Sequence, residues 1–421
     1  MLIQFSVENF MPFKNKVVLS LEPSKDKEHP ENIINIGDYS AVKTIAIYGA
    51  NASGKTSLFR AMTKAVNLIR NSNVIQVNQP LNFVPFEFDS NSRKKPSKFE
   101  FIFVAGDNNR YVYGFSADQF NIYEEYLYLY KSQRPTLIFE RSEINNYTFK
   151  SQKSALEPLV RFNTSNKLFL ATATNWNTEC TKVPYEWLAS YVDTFTEANS
   201  LMNMAIESYK GAKQADYLAF TEHLLKQADI NISKVHIKVK TTKLEPQFGA
   251  VAPQLMINGQ PVQQVIPYQE VIEVSTDHVI HDGDKTKVYK LNMNDESLGT
   301  NQLFLMGPFL KDAFENGKTV VIDEIDKSLH TFIVKYLIKL FCDKEINKGG
   351  AQLIFTTHDT SLLSLNTFRR DQIYFTEKNN ENGISDLYSL DEFPVRKTEN
   401  IEKGYLLGRY GAIPYIKGEA L

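Results

Sequence analysis

Residues 44–56 read Thr-Ile-Ala-Ile-Tyr-Gly-Ala-Asn-Ala-Ser-Gly-Lys-Thr: an apolar run that stops at a glycine, then the spacing G-x-x-x-x-G-K-[ST]. SLFRAMTKAVNLIR follows, with apolar residues at helical spacing, so the motif sits where a strand turns into a helix. Few folds accept that order. The glycines let the backbone curl so that successive N–H groups point inward, and the helix N-terminus adds positive potential, which suits the β- and γ-phosphates of a nucleoside triphosphate. Gly49, Asn51, Ser53, Gly54, Lys55, Thr56 and Ser57 form the expected phosphate-binding set. Lys55 is expected to reach the terminal phosphates, and Thr56 to ligate Mg²⁺.

A second half-site is expected in TVVIDEIDKSLH. The apolar run Val320-Val321-Ile322 delivers Asp323 and Glu324 at a strand's C-terminal end, where ligands collect in open α/β sheets. Asp323 suits Mg²⁺ through water, and Glu324 suits a general base that polarises the attacking water. About twenty residues earlier, Asp295 to Gln302 read DESLGTNQ and open a helix. Ser297 and Gly299 there make either an ordinary helix cap or a second anion site. The chain already has a phosphate loop, so the second reading aims this one at the γ-phosphate held by another subunit. AQLIFTTHDTSLL places His358 at a strand end, where it could sense the γ-phosphate or attacking water. His330, just after the acidic pair, reads as structural.

Around these motifs the chain is ordinary globular material: 421 residues, 43% hydrophobic and 23% charged, enough for a large core. A formal charge of −2 indicates no whole-molecule attraction to nucleic acid or anionic lipid, although a local basic face is compatible with it. Two distant cysteines, Cys180 and Cys342, give neither a disulfide framework nor a zinc site and read as small buried residues. With no signal-like N-terminus and no apolar run of membrane-spanning length, the expected location is cytoplasmic, with no membrane partner.

Period-two runs rich in Phe and Tyr from about 80 to 150 (KFEFIFVA, YVYGFSA, YLYLYK) predict an antiparallel β-layer. Helical patterns, including VPYEWLASYVDTF, occupy about 154 to 228; strands return at VHIKVKTT, QLMING and VIEV. After about 290, strands alternate with helices, implying a buried and largely parallel sheet. The expected division is an N-terminal half at 1–153, a helical insertion at 154–235 and a C-terminal half at 236–421. Arg369 and Arg370 suit either a phosphate or effector contact or a solvated helix end.

The ordered set LIQFSVENFMPF, GANASGKTS, ESLGTNQ, VVIDEID, KSLH and TTHD resembles the ATPase heads of the ABC superfamily, in the branch that includes SMC and RecF-like proteins. That resemblance implies an α/β P-loop fold with a mixed sheet, bound ATP and Mg²⁺, and an antiparallel homodimer in which Ser297 and Gly299 reach the partner's γ-phosphate. It also implies a glutamine on the β-layer side of the site, for which Gln79 is the candidate and Gln76 the second choice. PFEFD, KFEFIFVAGDNNRYVYGFS, RRDQIYFTEK and the tail YLLGRYGAIP are similar to prokaryotic AAA-family ATPases of the RloA/AbiL abortive-infection type. Such ATPases commonly work beside a separately encoded effector, often a Toprim-like or RloB-type nuclease, in anti-phage defence. The residues after 390 are too few for a nuclease domain, so cutting is expected from a partner. The alternative is a RecF/SMC-like DNA-binding ATPase in DNA repair or maintenance.

Overall fold

The computed structural model describes residues 1–195, 198–228, 230–243, 256–257, 260–261, 268–283 and 285–414. They fall into two compact units, one made of residues 1–198 and 312–421 and the other of residues 199–311.

The first unit holds two large sheets and a short two-stranded one, Ile33–Ile36 with Tyr39–Val42. Thr44–Gly49, Thr319–Ile322 and Gln352–Thr356 are buried along their whole length, as strands covered on both faces must be. With three neighbours they form a six-stranded sheet in the order Val192–Phe195, Thr319–Ile322, Gln352–Thr356, Thr44–Gly49, Ile373–Lys378, Ser385–Ser389. The first five run parallel and the last is antiparallel. Thr44–Gly49 therefore lies inside the sheet, and its C-terminal end opens beside those of Gln352–Thr356 and Ile373–Lys378.

The second sheet is the expected antiparallel layer, seven strands in the order Asn146–Thr148, Thr136–Ser142, Ile122–Tyr130, Arg110–Ala117, Ser97–Val104, Leu2–Glu8, Val17–Ser20. Its period-two aromatics interlock: Phe5 lies 4.9 Å from Phe101 and Phe99 stacks on Phe115 at 5.2 Å. Gln352 joins the two sheets. Its amide accepts from Leu2 N at 2.7 Å and donates to Leu2 O at 3.0 Å and Val42 O at 3.2 Å. A buried amide whose donors and acceptor are all engaged fixes register where an apolar contact would slide.

The insertion is divided differently from the expected 154–235. Phe169–Asn175 and Glu179–Ser190 are helices, but they pack on the antiparallel layer: Trp187 stacks on Phe103 at 4.2 Å and Phe169 meets Phe139 edge-on at 5.1 Å. The predicted helix through VPYEWLASYVDTF also stops at Ser190. Val192–Phe195 instead joins the edge of the parallel sheet, where Asp193 pairs with Lys318 at 3.1 Å and Arg70 at 3.3 Å. The second unit contains the helices Ala198–Lys210 and Gln214–Gln227, then an antiparallel three-stranded sheet, Lys234–Lys243, Tyr268–Asp282 and Lys285–Asn292. The first unit accordingly resumes near 312, whereas the C-terminal half was expected from 236. Of QLMING, Met256–Ile257 is a short strand pairing with Gln260–Pro261, and the remainder lies outside the described residues.

Cys180 and Cys342 are free and half-buried rather than buried. Among the described residues, no helix is long and apolar enough to cross a membrane.

Candidate functional site

The Gly-rich turn is shaped by a strand far away in sequence. A Cβ on Gly49 would lie 2.5 Å from Thr376 Oγ1, so only glycine fits against Ile373–Lys378. Ser53 Oγ hydrogen-bonds the same Thr376 hydroxyl at 2.6 Å. The chain then enters the helix Lys55–Asn71 through Gly54, with no side-chain cap on its first N–H groups. Those groups are left for a ligand. Lys55 folds over the turn and donates to Gly49 O at 2.7 Å and Ala50 O at 3.1 Å. Burial pulls its ammonium below the usual lysine range, while the carboxylates of Asp323, Glu324 and Asp326 act in the opposite sense.

The acidic edge is organised by Thr356. Its hydroxyl accepts from Glu324 N at 2.7 Å and donates to Asp323 Oδ1 at 2.6 Å, so one buried side chain orients both acidic residues. Glu324 has φ +52°, a left-handed conformation that costs a non-glycine residue about 1–2 kcal/mol. That strain turns its half-exposed carboxylate toward His358, whose Nε2 lies 3.9 Å from Glu324 Oε1. His358 N donates to Asp326 Oδ2 at 3.2 Å, tying the loop after the acidic pair to the histidine. His330 caps the helix Thr331–Cys342, its Nδ1 accepting from Phe332 N at 3.2 Å, which bears out the structural reading of that residue.

Asn51, Ser53, Gly54, Lys55, Thr56 and Ser57 line one open cavity of about 390 Å³ together with Glu324 and His358. The two sequence-distant motifs thus meet across a single space. Gln79 and Gln76 do not line it. Gln79 Oε1 accepts from Gln76 N at 3.0 Å and Gln79 O accepts from Asn166 at 3.3 Å, so the pair closes a local turn. The corresponding side of the cavity is formed by Val84, Pro85, Glu87 and Phe88, with Lys378 beyond them. In the sequence, PFEFD and RRDQIYFTEK stood out by family resemblance and not as site residues, so the roles of Val84, Pro85, Glu87, Phe88 and Lys378 were missed, as were those of Thr356 and Thr376.

Ser297 and Gly299 belong to the second unit. Ser297 Oγ accepts from Thr300 N at 3.1 Å, which is the cap of the helix Leu298–Asn316. Ser297 and Leu298 are exposed there. Arg369 and Arg370 are committed internally: Arg369 is buried against Asp371 at 2.8 Å and donates to Glu28 O at 2.6 Å, and Arg370 pairs with Asp26 at 3.0 Å.

A turn of backbone donors at a bare helix N-terminus, a lysine folded over it and a carboxylate pair at the neighbouring strand end define the class of P-loop nucleoside-triphosphate-binding proteins. Within that class the chain belongs to the family described as "AAA domain, putative AbiEii toxin, Type IV TA system", whose model matches residues 45–364. No curated protein matches it. Among solved structures it is similar to the SMC head domain from Thermotoga maritima, at 12% identity and TM-score 0.40, covering 92% of this chain and 98% of that one. It is also similar to an SMC head with an extended coiled coil bound to the C-terminal domain of ScpA, derived from Pyrococcus furiosus (14% identity, TM-score 0.39, 97% and 98% covered). A third similar structure is the recombination mediator RecF with ATP (13% identity, TM-score 0.34, 92% and 97% covered).

Proposed function

We propose that this protein is a Mg²⁺-dependent ATPase that closes into a head-to-head homodimer on ATP and opens on hydrolysis, and so switches a separately encoded effector. The observation that carries the reading is the single cavity in which Lys55 and the bare start of its helix face Glu324 and His358. The helix N-terminus and Lys55 hold the β- and γ-phosphates. Glu324, kept in its strained conformation by Thr356, accepts the proton of a water aimed at the γ-phosphate. His358, whose Nε2 stands 3.9 Å from Glu324 Oε1, steadies that water or the γ-phosphate.

The donor set suits Mg²⁺, which takes one or two protein oxygens and completes its shell with water and phosphate. Thr56 supplies a hydroxyl beside Lys55. Asp323 offers Oδ2, which has no protein partner among the described residues, while Oδ1 is fixed by Thr356. Bound there, the ion would supply charge neutralisation at the phosphates. Ser297 and Gly299, at the exposed start of a 19-residue helix, serve the γ-phosphate of the opposite protomer in this scheme.

The toxin–antitoxin wording of the family description and the resemblance to abortive-infection ATPases both favour a role in anti-phage defence with a nuclease effector. The test is nucleotide binding and light scattering on two variants. Lys55→Ala is expected to lose ATP binding; Glu324→Gln is expected to bind ATP and accumulate as a dimer. Equal loss of binding in both would remove the assigned roles. Glu324→Gln used as bait with ATP and Mg²⁺ then identifies the effector, and capture of DNA alone would favour the RecF-like alternative.

A further inference from the structure

Phe88 is 69% exposed, yet it is not loose. The Phe86 ring meets it edge-on at 5.6 Å. Gly383, at φ +71°, brings the turn after Lys378 so close that a Cβ there would lie 2.5 Å from Phe88 Cδ2. Lys378 Nζ stands 5.7 Å from the ring centroid and has no ion-pair partner among the described residues. The turn itself is preset by Asn379, whose Oδ1 accepts from Glu381 N at 2.8 Å and whose O accepts from Gly383 N at 2.8 Å. A large aromatic side chain buttressed on several sides and still left in water is a surface awaiting a flat apolar partner.

Its position says which partner. Phe88 and Lys378 line the cavity that contains Lys55, Glu324 and His358, and they also line an adjoining cavity of about 890 Å³. Asn51, Ala52 and Ser53 border both. Glu324 and His358 border only the first, whereas Asn380, Glu381 and Asn382 border only the second. A triphosphate seated on the helix N-terminus with its γ end toward Glu324 therefore points its nucleoside end past Asn51–Ser53, toward Phe88.

We infer that Phe88 is the platform on which the nucleobase stacks, with Lys378 and the turn at 379–384 as its rim. The inference rests on the ATP-binding reading above and assigns the other end of the same ligand. Stacking on a phenyl ring is tolerant of base identity, because every base has a π-face. Phe88 therefore contributes affinity for both purine nucleotides, and discrimination between them falls to polar groups at the base edge.

Calorimetric titration of the full chain with ATP, GTP and inorganic tripolyphosphate separates the two ends. Phe88→Ala is expected to bind ATP and GTP on the order of tenfold to a hundredfold more weakly while keeping wild-type affinity for tripolyphosphate, and Phe88→Trp is expected to restore nucleotide binding. Unchanged ATP affinity in Phe88→Ala overturns the platform and leaves the ATPase reading standing. Equal loss of ATP and tripolyphosphate also overturns it, since Phe88 would then only support the loop. A wild-type chain that binds tripolyphosphate and no nucleotide better sinks the platform, and one that binds none of the three sinks the ATPase reading with it.

Discussion

Thr356→Val tests the arrangement at the acidic edge with little change of shape. Valine has the volume of threonine without the hydroxyl, so no cavity opens in the sheet and the change is confined to polar contacts. Two are lost: the 2.7 Å bond from Glu324 N and the 2.6 Å bond to Asp323 Oδ1. Thr356 is fully buried, so the Glu324 amide loses its acceptor where water does not readily replace it. Such an orphaned donor costs about 1–3 kcal/mol, and the charge-assisted bond is of similar worth, though Asp323 is only partly buried and regains some hydration. A net loss of about 2–3 kcal/mol of stability is expected, read as a lower urea midpoint. Function falls for a second reason. Glu324 sits at φ +52° because its N–H is held, and releasing it lets the backbone relax and carry the carboxylate away from His358. A positioned general base is worth roughly 10²–10⁴ in rate, so ATP turnover at saturating ATP should drop by about 10²-fold. Nucleotide binding, which depends on Lys55 and the helix N-terminus, should persist. Thr356→Ser, which keeps the hydroxyl, should turn over within a few-fold of wild type. Thr356→Val with wild-type turnover, or Thr356→Ser as poor as the valine variant, would refute this account of Glu324.

Gly49→Ala places a methyl group against Thr376 and should weaken ATP binding more than tenfold even where the fold survives; pairing it with Thr376→Ala, which removes part of the obstruction, should recover some of that loss. Ser297→Arg is expected to leave ATP binding intact but block turnover, and mixing it with Lys55→Ala chains should restore activity through one intact composite site; no recovery at any mixing ratio would argue against a shared site. Gln79→Ala should leave turnover within about twofold of wild type, because its side chain serves only a local turn. Lys55 has a folded pKa below the ordinary 10.5 because burial disfavours its charge. Between those two values the unfolded chain binds the extra proton, so stability rises with pH across that window and Lys55→Met should flatten the rise. ATP affinity should fall across the same window as the ammonium is lost; affinity that stays level up to pH 10.5 would contradict the depressed value.

Much of the site was legible in the sequence because it is local. The turn Gly49–Thr56 and the pair Asp323–Glu324 each carry their geometry within a few residues, through glycine, an apolar strand and a helix start. Period-two aromatics likewise announced the antiparallel layer, and the αβ alternation after 290 announced the parallel sheet. What the sequence could not show depends on partners far along the chain. YVDTF follows a helical pattern but becomes a strand, because the open edge beside Thr319–Ile322 and the cations Lys318 and Arg70 fix Asp193 there. The helices of 169–190 read like those of 198–227, and only packing on Phe103 and Phe139 assigns the former to the first unit. Gln79 carried the right side chain in the expected region, yet its amide is used locally and Phe88 faces the cavity instead. Thr356, Thr376 and Lys378 look like ordinary strand residues. They acquire roles only when the sheet places the ends of three strands side by side around one turn, since hydrogen bonds and steric contact act over a few ångströms of space whatever the separation in sequence.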